Sequence, residues 1–299
     1  MLLVGIDLGG TAIKAGAISS EGRILARREI ATELERGAPD LLDRMAGLAR
    51  ELGLQASVGL GVPGLIDQQL GGVQQSPNLA AIEGLPLVAE LARRLKLPAS
   101  GVVLENDANA AAIGEHWLGR GRSERDLLLV TLGTGVGGGL ILGGELYAGP
   151  GGMAGEIGHV VVESGGPLCG CGSRGCLETL ASASAASRRA AEAGLTPDLV
   201  RLADLARERS GPERELLFAV GRDLGRGLAA AIALLDLRCF VIGGGFGAAL
   251  DTLLPGIRTG IAERCYGERL KSVRVERAEL GADAGWIGAA RLGMLRSRG

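Results

Sequence analysis

Twice in this chain an apolar strand pattern runs into a glycine-rich turn and out into a second strand, and that repetition restricts the fold more than any other feature. The first copy covers residues 2–8 and ends in Asp7-Leu8, followed by Gly9-Gly10-Thr11 and a strand through Lys14 to Ser19. The second is a strong strand from Asp126 to Leu132, then Gly133-Thr134-Gly135-Val-Gly-Gly-Gly139, then Leu-Ile-Leu ahead of Gly143-Gly144. Aligning Leu8-Gly9 with Leu132-Gly133 overlays the two units, which predicts two lobes of one plan with a cleft between them. A tight glycine turn between strands places backbone N–H groups where an anionic phosphate can approach, and the absence of a side chain permits close approach. Asp7 adds a carboxylate able to hold a magnesium ion through its water shell. Taken alone, Asp-x-Gly-Gly-Thr is equally an ordinary hairpin.

The remaining pattern alternates strands and helices, as an α/β protein does. Periodicity predicts a strand over 23–31, helices over 38–53 and 85–97, and strands over 57–61 and 101–105. That last strand delivers Asn106 and Asp107 to the start of an Ala-rich helix, at the end of a strand where α/β sheets bind ligands. A carboxylate at a helix N-terminus is favoured in its charged form, and the plainer reading of the pair is a helix cap. Helices are predicted over 177–193, 197–209, 213–235, 248–264 and 283–296, with strands over 238–242 and 272–276. Gly133, Gly135 and Gly138 spell G-x-G-x-x-G, but a strand follows them where a dinucleotide motif requires a helix. The turn at Gly243-Gly244-Gly245 lies between a strand and a helix, and is read as a rest for the adenosine end of a nucleotide.

Composition narrows the partners. With 299 residues the chain is long enough for about two domains. The formal net charge of −2 gives no nucleic-acid footprint, and aromatic residues at 2% leave no stacking platform for bases or sugars. Any sugar must be recognised by hydrogen bonds. No apolar run of about 18 residues could span a membrane, and the first residues enter a strand directly without a basic leader. A cytoplasmic protein is expected.

The stretch 155–178 holds His159, Cys169, Cys171 and Cys176 in a loop too rich in glycine to shape itself, bracketed by Glu156 and Glu178. Three thiolates and one imidazole form a closed tetrahedral zinc set, so a zinc here is structural. Zinc binding in small peptides supplies about 10–16 kcal/mol of folding energy, enough to order such a loop. Disulfides and metal-free thiols are the alternatives; five cysteines is an odd number, which argues against complete pairing.

The residues Glu156-Ile-Gly-His159 and Cys169-Gly-Cys171-Gly-Ser-Arg-Gly-Cys176-Leu-Glu178 resemble the signature of the ROK family of sugar kinases and sugar-responsive repressors, and the similarity extends along nearly the whole chain. The resemblance implies an actin-like, hexokinase-like ATPase (ribonuclease H-like) fold of two α/β lobes with an interlobe cleft. On that basis residues 1–107 with 284–299 form one lobe and 108–283 the other, the zinc loop 156–178 lying in the second. It further implies ATP phosphates on Gly9, Gly10, Thr11, Lys14, Gly133, Thr134 and Gly135, with Asp7 on magnesium and Gly244 and Gly245 on the nucleotide. Asp107 is then the catalytic base. Gly64, Asn78, Asn106, Glu156, His159 and Glu178 bind the sugar, with His159 sharing its two nitrogens between zinc and sugar.

The Cys-Gly-Cys-Gly form of the loop is similar to glucokinases and N-acetylhexosamine kinases of the family, so glucose is the expected substrate, with N-acetylglucosamine or N-acetylmannosamine as the alternative. The glycine turn at 243–245 favours ATP over polyphosphate as donor. Family repressors carry a helix-turn-helix ahead of the first phosphate loop, whereas here that loop follows within a few residues of Met1; a sugar sensor without catalysis is the rival class. A homodimer or homotetramer is implied, with neither nucleic acid nor membrane as partner.

Overall fold

The computed structural model describes residues 1–76 and 79–296. Its elements run β1 (Leu2–Leu8), β2 (Ala12–Ser19), β3 (Ile24–Ala31), α1 (Ala38–Glu51), β4 (Val58–Val62), β5 (Leu65–Asp67), β6 (Gly72–Gln75), α2 (Leu87–Leu95), β7 (Val102–Asn106) and α3 (Asp107–Leu118). There follow β8 (Leu127–Leu132), β9 (Val136–Leu142), β10 (Glu145–Leu146), α4 (Glu178–Ala181), α5 (Ala183–Glu192), α6 (Leu199–Glu208), α7 (Pro212–Leu235), β11 (Cys239–Gly243), α8 (Leu250–Arg264), β12 (Arg274–Arg277) and α9 (Ala284–Arg296). The chain divides into two compact units, one of residues 1–123, 146–154 and 282–299, the other of 124–145 and 155–281.

The duplication anticipated from the glycine turns is real. One unit has a five-stranded sheet in the order β3-β2-β1-β4-β7 and the other a five-stranded sheet in the order β10-β9-β8-β11-β12. In each, the leading strand pairs antiparallel with its hairpin partner and parallel with the next, β1 with β2 and β4, β8 with β9 and β11. The glycine turns therefore occupy equivalent corners, at the C-terminal ends of β1 and β8.

In the first unit, α1 and α2 cover one sheet face with Leu41, Leu42, Met45, Leu87 and Leu91, all buried. The other face carries α9, which descends close enough to touch backbone. A Cβ on Gly59 of β4 would sit 1.7 Å from Ala289 O, and one on Gly288 would sit 1.6 Å from Ala110 O of α3. Glycine at both positions is what lets sheet, α9 and α3 meet. Trp286 of α9 is buried over Gly16 of β2 while its Nε1 donates to Asp283 Oδ1 at 2.8 Å. This packing places α3 in the first unit rather than the second, where the expected boundary at 107/108 had put it. In the second unit, Leu217, Val220, Leu224 and Leu228 of α7 meet Phe240 and Ile242 of β11 and Leu253 and Ile257 of α8 in one buried cluster.

Two local departures from the expected elements have simple causes. The helix expected over 177–193 breaks at Ser182, which is extended at φ −68°, ψ 165° and caps α5 by accepting Ala185 N–H at 3.0 Å. The hairpin β5–β6, only three and four residues long, is too short to leave a periodic signature. No helix among the described residues is long and apolar enough to cross a membrane.

Candidate active site and metal centre

The junction of β7 and α3 is built by Asn106. Its Oδ1 accepts the N–H groups of Ala108 and Asn109 at 2.9 and 3.1 Å, and its Nδ2 donates to Gly64 O at 3.1 Å. Gly64 is left-handed at φ +112°, and a Cβ there would lie 2.2 Å from Gln75 O, so no other residue could present that carbonyl. The cap reading and the ligand reading of Asn106 are thus compatible, because one amide N–H remains for a substrate. Glu105 supports the arrangement by accepting Asn106 N–H at 2.9 Å and Asn109 Nδ2 at 3.0 Å, a role the sequence does not announce. Asp107 accepts Ala108 N–H at 2.9 Å, and burial raises its proton affinity against that hydrogen bond. A carboxylate with raised proton affinity at a strand end is suited to receive a proton.

Asp7 stands opposite Lys14 in the β1–β2 register. Burial pushes its carboxyl up to about 7, with the charge of Asp107 adding to the rise and that of Lys14 opposing it. Its Oδ2 is so near the backbone of α9 that a Cβ on Gly285 would sit 2.4 Å away. An acid whose folded pKa lies above its unfolded value holds an extra proton in the native state between the two. Stability accordingly falls as pH rises from about 4 to about 7, and the cost is fully developed above that, at about 4 kcal/mol at most. Asp7→Asn is expected to raise the Tm of the ligand-free protein at pH 8 by at least about 2 °C, with a smaller gain at pH 5. An equal or lower Tm at pH 8 would refute the strained carboxylate.

The first glycine turn closes with Gly9 N–H on Ala12 O at 2.9 Å. It is gripped by buried Thr32, just beyond β3, whose Oγ1 donates to Gly9 O at 2.7 Å and whose N–H donates to Thr11 O at 2.9 Å. The second turn closes with Gly133 N–H on Gly135 O at 3.0 Å. There Val136 N–H donates to Glu178 Oε2 at 3.1 Å, and a Cβ on Gly135 would lie 2.1 Å from that oxygen. The turn at Gly244, left-handed at φ +78°, packs directly on Leu132, where a Cβ would meet the backbone at 2.4 Å. Gly244 and Gly245 therefore lie beside the base of the second turn.

The loop expected to hold metal brings its four members together. One donor atom each from His159, Cys169, Cys171 and Cys176 falls within 4.8 Å of the others. Cys171 Sγ lies 3.7 Å from Cys176 Sγ, and Cys169 Sγ lies 3.7 Å from His159 Nδ1. A tetrahedron with metal–sulfur bonds of about 2.3 Å has edges of about 3.8 Å, and these two separations already match such an edge. Without a metal the three thiols diverge: Cys171 is pulled down to about 6, first by the backbone N–H of Ser173 and then by the Cys169 thiol. Burial pushes Cys169 up and Cys176 up to about 12, so the exposed Cys171 is the thiol predisposed to ionise. All five cysteines are free thiols. Cys169 and Cys176 are buried, whereas Cys171 and His159 are exposed. With Nδ1 toward the thiols, His159 Nε2 lies 3.9 Å from Glu156 Oε2. Glu178 Oε1 accepts from Cys169 Sγ at 3.8 Å, a hydrogen bond that would be lost when the thiol releases its proton to bind a metal as thiolate. Asn78 lies outside the described residues.

Among curated proteins, the chain is 37% identical to a glucokinase of Thermotoga maritima, covering 96% of each sequence. It is 32% identical to an N-acetylmannosamine kinase of Shigella flexneri, covering 98% of each. Among solved structures, a ROK family glucokinase from Streptomyces griseus in complex with glucose and AMPPNP superposes with a TM-score of 0.83 at 35% identity, over 99% of this chain and 100% of that one. The ROK family matches residues 3–294, and with its duplicated α/β units, paired glycine turns and Cys/His cluster this chain belongs to that family.

Proposed function

We propose that the chain is an ATP-dependent hexose kinase that phosphorylates the 6-hydroxyl of glucose. The observation that carries this reading is the β7–α3 junction, where Asp107, its proton affinity raised by burial, stands beside an Asn106 locked by Gly64 and its own helix. Phosphoryl transfer asks the protein for in-line positioning, charge neutralisation and a proton acceptor. Asp107 takes the proton from the sugar's O6 as O6 bonds to the γ-phosphorus and the bond to the β–γ bridging oxygen breaks, releasing ADP.

The backbone N–H groups of Gly9, Gly10, Thr11, Gly133, Thr134 and Gly135 are the groups proposed to receive the ATP phosphates, with Lys14 adding positive charge. The Gly244-Gly245 turn, packed on Leu132, supports the adenosine end, which favours ATP over polyphosphate as donor. Asp7 would hold magnesium through water, and magnesium supplies neutralisation of the phosphate charge when bound. In the first unit, Gly64 and Asn106 are assigned to the sugar, together with Asn78 from the family pattern. In the second unit, Glu156, His159 and Glu178 are assigned to its hydroxyls.

The metal fitting three thiolates and an imidazole is zinc, held by His159 Nδ1, Cys169, Cys171 and Cys176. It would order the loop and leave Nε2 in the one tautomer able to donate to a hydroxyl. Free thiols accord with a reducing, cytoplasmic compartment.

The N-acetylmannosamine kinase likeness, at 32% identity, supports an acetamido sugar as the second reading. A coupled ADP-release assay over glucose, mannose, fructose, N-acetylglucosamine and N-acetylmannosamine separates the two. Glucose is expected to give a kcat/KM at least about tenfold above the others, roughly the discrimination that 1.4 kcal/mol provides. A preference for an acetamido sugar would reassign the substrate, and silence on every sugar would exclude a kinase.

A further inference from the structure

The two glycine turns share a plan but are not held alike. Thr32, just beyond β3, grips the first from within its own sheet. The strand equivalent to β3 in the second sheet is β10, only two residues long, and the grip there comes from a different part of the chain. Glu178 Oε2 accepts Val136 N–H at 3.1 Å at one end of the turn, and Ala183 N–H donates to Gly133 O at 2.8 Å at the other. Between these two contacts lies α4, four residues long.

The segment that makes these contacts begins in the metal cluster. Cys176 is a cluster member, and Leu177 N–H donates to Val160 O, one residue past His159, at 2.9 Å. Its other side is fastened as well. Arg188 Nη2 and Arg189 Nη1 donate to Thr179 O and Leu180 O, each at 2.8 Å, and Arg189 reaches Asp223 of α7 at 2.9 Å. Leu177, Leu180 and Ala181 are buried beneath it.

We propose that residues 176–183 form a clasp through which the metal cluster governs the shape of the nucleotide-binding turn, with Glu178 and Ala183 as positioning residues for phosphate binding. The inference rests on reading Gly133–Gly135 as a phosphate turn. A glycine turn has many conformers, and its N–H groups converge on a phosphate only when its ends are pinned. A one-turn helix cannot persist unaided, so its anchors decide whether the pins stay in place. The consequence is that metal removal weakens nucleotide binding even when no sugar is present.

The test is the Kd of the magnesium complex of a non-hydrolysable ATP analogue, measured by titration calorimetry without sugar. Zinc-loaded wild type, zinc-stripped wild type and Ala183→Pro are compared. Proline suits the site because Ala183 is the first residue of α5, where the helix has no use for the N–H, and Ser182 is already extended. The proline variant is expected to keep its zinc and its sugar affinity while binding the analogue about tenfold more weakly, and stripping is expected to cost at least as much. Equal nucleotide affinity with and without zinc, or in a proline variant that retains zinc, overturns the clasp. A proline variant that loses zinc or sugar affinity reports misfolding, and the stripped wild type then decides alone. If loaded wild type binds no nucleotide, the phosphate reading fails and the clasp with it.

Discussion

Asp107→Asn is expected to lower kcat by about a thousandfold while leaving the KM for sugar within about threefold of wild type, the range that a general base contributes. Asparagine has the same shape and keeps an oxygen to accept Ala108 N–H, so the start of α3 should be undisturbed. What it cannot do is take the proton from O6. It also removes a carboxylate that burial holds away from its preferred charged form, so the variant should be no less stable than wild type. Steady-state kinetics beside a thermal melt would separate a chemical from a structural loss. A variant turning over within about tenfold of wild type, with its fold intact, would remove Asp107 as the base, since the smallest usual base contribution is about a hundredfold.

Cys171→Ser is expected to leave less than one zinc per chain and to weaken sugar binding by at least about a hundredfold. Cys171 is the exposed thiol of the set, so serine there should cost little packing, unlike a change at buried Cys176. Apart from the donor set, the loop is held by backbone hydrogen bonds of its own, among them Val162 N–H to Gly175 O at 2.9 Å, Gly175 N–H to Pro167 O at 2.9 Å and Cys169 N–H to Ser173 O at 2.8 Å. Between Gly155 and Glu178 regular structure amounts to a single turn at Ile157–His159 and two isolated bridges, Val161 with Cys176 and Leu168 with Arg174. Structural zinc contributes about 10–16 kcal/mol in peptides, whereas each backbone hydrogen bond of the loop adds only about 1 kcal/mol net and depends on the same loop shape that the metal fixes. Metal content by plasma mass spectrometry and sugar affinity by calorimetry check the two halves. Sugar affinity unchanged in a zinc-free protein would separate the loop from the sugar site.

Much of this architecture is legible in the sequence because its signals are local. Strands 2–8 and 126–132 are nearly pure apolar runs closed by glycine, and that alone foretells the matching corners of two sheets. The cysteine spacing likewise determines its own cluster, since four donors within 18 residues can converge only by folding the loop on itself. What escapes is direction and neighbourhood. Nothing in the local sequence tells that Glu178 turns one oxygen to Val136, because that geometry depends on the bare Cα of Gly135, 43 residues earlier. Thr32 acts wholly through backbone groups, and Glu105 and Arg189 do so in part, and backbone carbonyls and N–H groups carry no residue identity to be read. The affiliation of α3 is similarly invisible until Gly114 and Gly288 are seen to admit α9, where a Cβ on Gly114 would meet Ala284 O at 2.3 Å.

The course of α9 bears on how the protein is made. Residues 284–296 lie against β1, β4 and α3, all of which leave the ribosome before the entire second unit is translated. At usual elongation rates that interval is roughly 10–30 s, during which the glycine-lined face of the first sheet has no cover. The second unit, continuous from 155 to 281 once β8 and β9 have appeared, can complete its own core first. Helix α9, made after the second unit, then finishes a sheet made before it. A nascent chain arrested shortly before Ala284 would present that bare face to chaperones, and emergence of α9 would withdraw it.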